Sequence, residues 1–301
     1  MNELNQLLDG IAKGDFKALA RAITWVENEL PGYDTLLKSL SPKSPAPVIG
    51  FTGPPGAGKS TLINALAGLL SGRQKKIAVV AVDPTSPFNY GSLLADRLRM
   101  SERFTDPRIF IRSVATRGSL GGLSEKMIEI TDVLKAAPFD LIIVETVGVG
   151  QSEVEIAGLA DTTVVVLVPE SGDEIQALKS GIMEIADIFV VNKSDREGAD
   201  EMVNSLQKSS WYHPGGEGSK PVIKTSAVQQ EGVQQLMETI IAQSRTEGQE
   251  EKKILLLADK LYRIIRKKRM HDVDKQDLSQ KVKESIAATG TANVYRMAEG
   301  Y

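Results

Sequence analysis

The sequence predicts an α/β protein in three layers, with helices on both faces of a mainly parallel sheet and further helices at each end. Three observations predict it. From residue 47 onward, short apolar runs alternate with helical stretches. Those runs are continuous and rich in Val and Ile, the pattern of strands buried on both faces rather than one. Between the first run and the next helical stretch lies "GPPGAGKS" (53–60), which matches G-x-x-x-x-G-K-[ST] in the strand–loop–helix setting that such a phosphate-binding loop needs.

The elements follow in order. Residues 3–40 read as helical, with Phe16, Leu19, Ile23, Val26 and Leu30 on one face and Pro31-Gly32 as the stop. "SPKSPAP" (41–47) is a linker by its Pro and Ser content. Strands are expected at 47–52, 76–83, 108–114, 139–146, 162–169, 188–193 and 221–227. "WYHPGGEGSKP" (211–221) reads as a surface loop. From about 246 an amphipathic helix carries Ile254, Leu257, Leu261 and Ile264 on one face, and a second helix is expected at about 275–288. The expected division is therefore an N-terminal helical segment (1–46), a P-loop NTPase domain (47–245) and a C-terminal helical segment (246–301).

Composition bounds the function. The chain has 301 residues, 42% hydrophobic and 25% charged, as in ordinary globular proteins. A net charge of −3 gives no overall basic field for nucleic acid. The basic run "RIIRKKRM" (263–270) reads as the solvated face of a helix, since no aromatics interleave with it. Cysteine is absent, which excludes disulfides and Cys-based metal sites and fits a reducing, cytoplasmic setting. His213 and His271 are isolated. The N-terminus lacks a secretion signal pattern, and no run approaches the ~20 apolar residues of a membrane span.

The motifs specify a nucleotide chemistry. Gly53, Pro54, Pro55, Gly56, Ala57, Gly58, Lys59, Ser60 and Thr61 should wrap the phosphates. A helix N-terminus follows them, and its dipole favours an anion. Lys59 should reach the β- and γ-phosphates and the Ser60 hydroxyl should ligate Mg²⁺. "NKSD" (192–195) closes a later strand. The Asp195 carboxylate would accept hydrogen bonds from guanine N1–H and N2–H₂, which adenine lacks. Lys193 would pack its stem along the base and Asn192 would brace the loops. "TSA" (225–227) ends the next strand, so that backbone N–H groups of Ser226, Ala227 and Val228 would meet guanine O6. Asp83, at the end of the strand after the P-loop helix, would face the phosphates; a plain turn or cap Asp is the alternative. Asp96 reads as a metal-site candidate or as a solvated side chain.

Taken together, "GDFKALARAITWVEN", "GFTGPPGAGKSTLINAL", "VDPTSP", "GSLLADRLRM", "RGSLGGLSEK", "FDLIIVETVGVGQSE", "SGDEIQALKSGIMEIADIFVVNKSD" and "TSA" resemble the MeaB family of GTPases, of the SIMIBI class. The resemblance covers about residues 8 to 228. It implies GTP/GDP and Mg²⁺ as ligands and low intrinsic GTPase activity. The implied role is as a chaperone that gates adenosylcobalamin loading and protects methylmalonyl-CoA mutase or a related acyl-CoA mutase. It also implies a homodimer through the C-terminal helices. Carried over, Glu145 is the acidic member of the Mg²⁺ and water network, with Asp83 and Asp96 supplying further carboxylate. Gly148 gives its N–H to the γ-phosphate, and Gln151 corresponds to a water-positioning Gln, though two residues separate it from Gly148. Lys179, with Asp173 and Glu174, falls in the segment that answers to the partner, and Arg117 is not marked as an arginine finger. Family members show Gly pairs where this chain has Tyr90-Gly91, a Gly at Ala95, and "PGAGDE" where it has "PESGDE" (169–174). Two other readings are a metallochaperone-type GTPase, disfavoured by the lack of Cys and the two separated His, and a kinase linked to a transport system, for which no protein-kinase motif is present.

Overall fold

The structure, a computed structural model, describes residues 3–41, 46–83, 103–115, 126–148, 155–171, 182–208, 220–243, 249–270, 272–298 and 300. Its contacts divide the chain into two units, Met1–Lys253 and Ile254–Tyr301.

The first unit is built on seven strands: β1 (Val48–Thr52), β2 (Ile77–Asp83), β3 (Ile109–Ala115), β4 (Leu141–Glu145), β5 (Thr162–Leu167), β6 (Ile188–Asn192) and β7 (Val222–Thr225). All pairings are parallel, in the order β3-β2-β4-β1-β5-β6-β7. Each of the seven expected strands is present, and the α/β class with it. The continuous apolar runs are explained by burial: β1, β2, β4, β5 and β6 are buried along their whole length.

Helices cover both faces. On one face α4 (Lys59–Gly72) and α8 (Val233–Gln243) pack Leu62, Ile63, Leu66, Leu236 and Ile240 against Ile49, Phe51, Ile77, Val79 and Ile143. On the other lie α1 (Glu3–Lys13), α2 (Phe16–Glu27), α3 (Tyr33–Ser39) and α5 (Met127–Lys135), over Val48, Val80, Phe110, Ile142 and Val144. Further along that face, α6 (Ile182–Ile185) and α7 (Ala199–Lys208) pack on Val165, Leu167, Phe189 and Val191.

The N-terminal stretch is three helices, with the expected stop at Pro31-Gly32 before the third and a further break at Gly14 between the first two. The Asp15 carboxylate caps α2, accepting from the backbone N–H groups of Lys17 and Ala18 at 2.7 and 3.0 Å. The helix ends at Glu27 because Glu29 adopts φ 48°, so Leu30, expected on the apolar face, falls in the following turn and is half exposed. Leu19, Ile23 and Val26 do reach the core. Phe16 adds an edge-to-face contact with Phe110 at 5.4 Å between ring centroids. Arg112 of β3 reaches out to Glu27 at 2.6 Å, which fixes α2 to the sheet.

The second unit begins within α9 (Gln249–Arg269) and continues through α10 (Lys275–Thr289) and α11 (Val294–Ala298). The Asp274 carboxylate caps α10, and Ile254, Leu257, Leu261 and Ile264 of α9 are exposed. Among the described residues, no helix is long and apolar enough to cross a membrane.

Candidate nucleotide and hydrolytic site

In a parallel sheet the strands end together, so the loops after β1, β2, β4, β6 and β7 gather at one edge. The sequence-predicted residues that the structure describes sit at those strand ends, on the loops after them and in the first turn of α4.

Gly53 to Gly58 connects β1 to α4, with Gly58 in the left-handed region at the helix N-cap. Pro55 and Gly56 are exposed, while Gly53, Pro54 and Ala57 are buried. Gly53 has φ 136°, and a Cβ there would stand 2.0 Å from the carbonyl oxygen of Val166 in β5, so the loop's close seat on the sheet requires glycine. Lys59 is buried, and its ammonium donates to the carbonyl oxygens of Gly53 and Pro54 at 2.8 and 3.0 Å. The charge is thus held at the centre of the loop. Thr61 lies on the exposed side of the first helical turn.

Ser60 Oγ donates to Glu145 Oε1 at 2.7 Å, and both side chains are buried. Glu145 ends β4 next to β1, where Phe51 is its register partner. Asp83 ends β2 and is 1% exposed. Because Ala81 pairs with Glu145, Asp83 stands two residues nearer the carboxyl edge on the same face. Ser60, Glu145 and Asp83 are therefore buried oxygen donors on neighbouring elements. Hard oxygen ligands of this kind suit magnesium, so the residues present fit that ion.

Gly148 follows on the β4 loop with φ 83°. A Cβ there would meet Gly53 O and Lys59 Nζ, each at 2.5 Å. The two loops consequently touch through backbone. Thr146 Oγ1 donates to Thr52 Oγ1 at 3.0 Å and ties the roots of the same two loops. Sequence reading missed this pair; a Thr ending β1 and a Thr one step past the end of β4 are its only trace.

The base side is assembled by Asn192. Its Nδ2 donates to Ala57 O at 2.8 Å, while its Oδ1 accepts from Thr225 Oγ1 at 3.0 Å and Ala227 N–H at 3.3 Å. One buried amide thus joins the P-loop to the β6 and β7 loops. Lys193 adopts φ 55°. Ser226 Oγ donates to Asp195 Oδ1 at 2.8 Å, and this bond holds the Asp195 carboxyl below the usual carboxylate range. The Ser226 N–H donates to Glu231 O at 3.1 Å, so this N–H and that of Ala227 are engaged within the protein, whereas Val228 is exposed. Arg196 and Glu170 form an ion pair that sequence reading also missed, and the Arg196 hydrogen bond keeps the Glu170 carboxyl low.

Asp96, Arg117, Gln151, Asp173, Glu174, Lys179, His213 and His271 lie outside the described residues. Among the described residues, no three His, Cys, Asp or Glu side chains gather as metal ligands, and the Ser60, Glu145 and Asp83 set contributes two carboxylates and a hydroxyl.

Comparison with known proteins agrees with this geometry. The family model described as "Methylmalonyl Co-A mutase-associated GTPase MeaB" matches residues 19–285. A putative GTPase of Pyrococcus horikoshii is 47% identical over 247 residues, covering 80% of this chain and 77% of the relative. A probable GTPase of Mycobacterium tuberculosis is 40% identical, with 77% and 74% covered. The mouse "Methylmalonic aciduria type A homolog, mitochondrial" is 35% identical, with 79% of this chain and 62% of that protein covered. A solved structure titled "LAO/AO transport system kinase" superposes with a TM-score of 0.68 at 26% identity, covering 99% of this chain and 97% of that one. With a phosphate loop, a buried Ser–Glu pair beside it and an Asn-Lys-x-Asp loop gathered at one sheet edge, and with relatives named as GTPases, this chain belongs to the MeaB family of GTPases.

Proposed function

We propose that this GTPase is a chaperone of an adenosylcobalamin-dependent acyl-CoA mutase, most directly methylmalonyl-CoA mutase, and that its nucleotide state gates cofactor loading and protects the mutase. The observation that carries the reading is the family match, which runs over residues 19–285 and is described by mutase association.

The residues divide the work as follows. The Gly53–Thr61 loop and the α4 N-terminus receive the phosphates, with the Lys59 charge already centred there. Asp195, held ionised by Ser226, accepts the two guanine donors. Ser60, Glu145 and Asp83 are the candidate holders of magnesium, Asp96 being a further candidate; when bound, the ion neutralises charge on the β- and γ-phosphate oxygens. Glu145 accepts from Ser60 and orients the attacking water, a role for which Gln151 is the alternative. Gly148 presents its N–H to the γ-phosphate from a loop in backbone contact with Lys59, which supports its use as a sensor of GTP against GDP. Exposure of Ile254, Leu257, Leu261 and Ile264 supports a homodimer through the C-terminal helices.

The test is to mix the protein with purified acyl-CoA mutases. Methylmalonyl-CoA mutase should accelerate GTP hydrolysis, and GTP should change the affinity of the complex and its cofactor loading, with a coupling of ~1–3 kcal/mol. Lys179→Ala should keep intrinsic hydrolysis and lose the stimulated increment. If no acyl-CoA mutase changes the GTPase rate or binds in either nucleotide state, the chaperone reading is wrong.

A further inference from the structure

β3, β2 and β4 are adjacent, and one row of the sheet runs Ser113, Ala81, Glu145 in register. Strand alternation sets the direction of these side chains. Ile109 and Ile111 of β3, Ile77 and Val79 of β2, and Leu141 and Ile143 of β4 all pack on the α4 face. Phe110, Val80 and Ile142 pack on the opposite face. Ser113, Ala81, Asp83 and Glu145 therefore share the α4 face, where Ser60 meets Glu145.

Ser113 is only 6% exposed, and its Oγ has no hydrogen-bond partner among the described residues. A buried hydroxyl in that condition is uncommon and calls for a reason. Packing does not supply one, because the preceding positions on this face of β3, Ile109 and Ile111, are filled by apolar side chains. The neighbouring position on β2 is Ala81, whose side chain is a single methyl. At a strand spacing of ~4.8 Å, Ser113 and Glu145 stand roughly 9–10 Å apart at Cα with that methyl between them. One pleat nearer the carboxyl edge, Asp83 closes the third side. Three oxygen-bearing side chains thus border one small residue, on the face that carries Ser60.

We propose that Ser113 is a positioning residue for GTP hydrolysis. Its hydroxyl holds, through one water lodged over Ala81, the Asp83 carboxylate, and so fixes how that carboxylate meets the water shell of the nucleotide's magnesium ion. Magnesium keeps several waters when bound, and groups that orient its ligands govern its affinity. This rests on the reading that Ser60, Glu145 and Asp83 form the magnesium site.

The experiment compares Ser113→Thr with Ser113→Val in the full chain. These side chains have nearly the same shape and differ in the hydroxyl. A fluorescent GDP analogue reports nucleotide retention as free Mg²⁺ is titrated, and thermal melts report folding. Ser113→Val should raise the Mg²⁺ concentration for half-maximal retention by about tenfold, while Ser113→Thr stays with the parent. Ser113→Ala replaces Ser113→Val if the latter does not fold. Equal Mg²⁺ demand in the two variants, with the parent Mg²⁺-dependent, overturns the role of Ser113 alone. Nucleotide retention that is indifferent to Mg²⁺ in the parent overturns the magnesium site and this proposal together.

Discussion

Gly148→Ala is the sharpest test of the idea that the P-loop and the loop after β4 form one cradle. Gly148 sits at φ 83°, where an L side chain costs ~1–2 kcal/mol. The added methyl would lie 2.5 Å from Gly53 O and from Lys59 Nζ. That is about 1 Å short of an ordinary nonbonded separation. Lys59 can swing away, but Gly53 O is backbone, in a loop whose Gly53 Cα is seated against Val166, and cannot. Moving Lys59 also forfeits its 2.8 Å hydrogen bond to Gly53 O. A charge-assisted bond of that kind contributes ~1.5–3 kcal/mol. Without nucleotide, part of this strain relaxes by displacement of the loops. Nucleotide binding requires the loops and Lys59 back in place, so the remainder, ~2 kcal/mol, appears as a loss of affinity of about 30-fold. The assay is a fluorescence titration with labelled GTP and GDP at saturating Mg²⁺, with a thermal melt of the free protein to separate folding from binding. Parental affinity for both nucleotides in a folded Gly148→Ala protein would refute the shared-cradle argument.

Other outcomes follow from the same geometry. Asp195→Asn replaces one acceptor by a donor, so GTP affinity should fall on the order of 10²-fold with a gain for xanthine nucleotides, measured by competition binding. Lys59→Ala should weaken binding of both nucleotides, whereas Glu145→Gln, which keeps volume and an acceptor for Ser60, should spare binding and slow single-turnover hydrolysis by about 10²–10³; unchanged turnover would remove Glu145 from the chemistry. Asp106 is hydrogen-bonded by Ser71, which lowers its carboxyl in the folded state. A lowered folded value means stability present above the unfolded value, ~3.9, and lost as pH falls through the folded one. Asp106→Asn should therefore cost about 1 kcal/mol at pH 7, and the difference from the parent should close below about pH 4 in urea melts.

Much of this protein is legible in its sequence because the relevant chemistry is contiguous. Wrapping a phosphate needs successive backbone N–H groups, so Gly53–Ser60 appears as one unbroken motif. Reading a base from one loop likewise keeps Asn192, Lys193 and Asp195 together. Strands buried on both faces declare themselves as Val- and Ile-rich runs, which is why all seven were placed. Helix ends were less legible: the break at Glu29 is a left-handed residue, a choice made by local backbone geometry that apolar spacing does not encode. What only the tertiary structure decided depends on strand order. Ser60 meets Glu145 across 85 positions of sequence because β4 pairs directly with β1. Asn192 joins three loops because β6 and β7 are neighbours at the P-loop's side of the edge. Ser113, Ala81 and Glu145 form a row because β2 lies between β3 and β4. Pairing register is a nonlocal hydrogen-bond choice, and a sequence records each strand's burial but not which neighbour it takes.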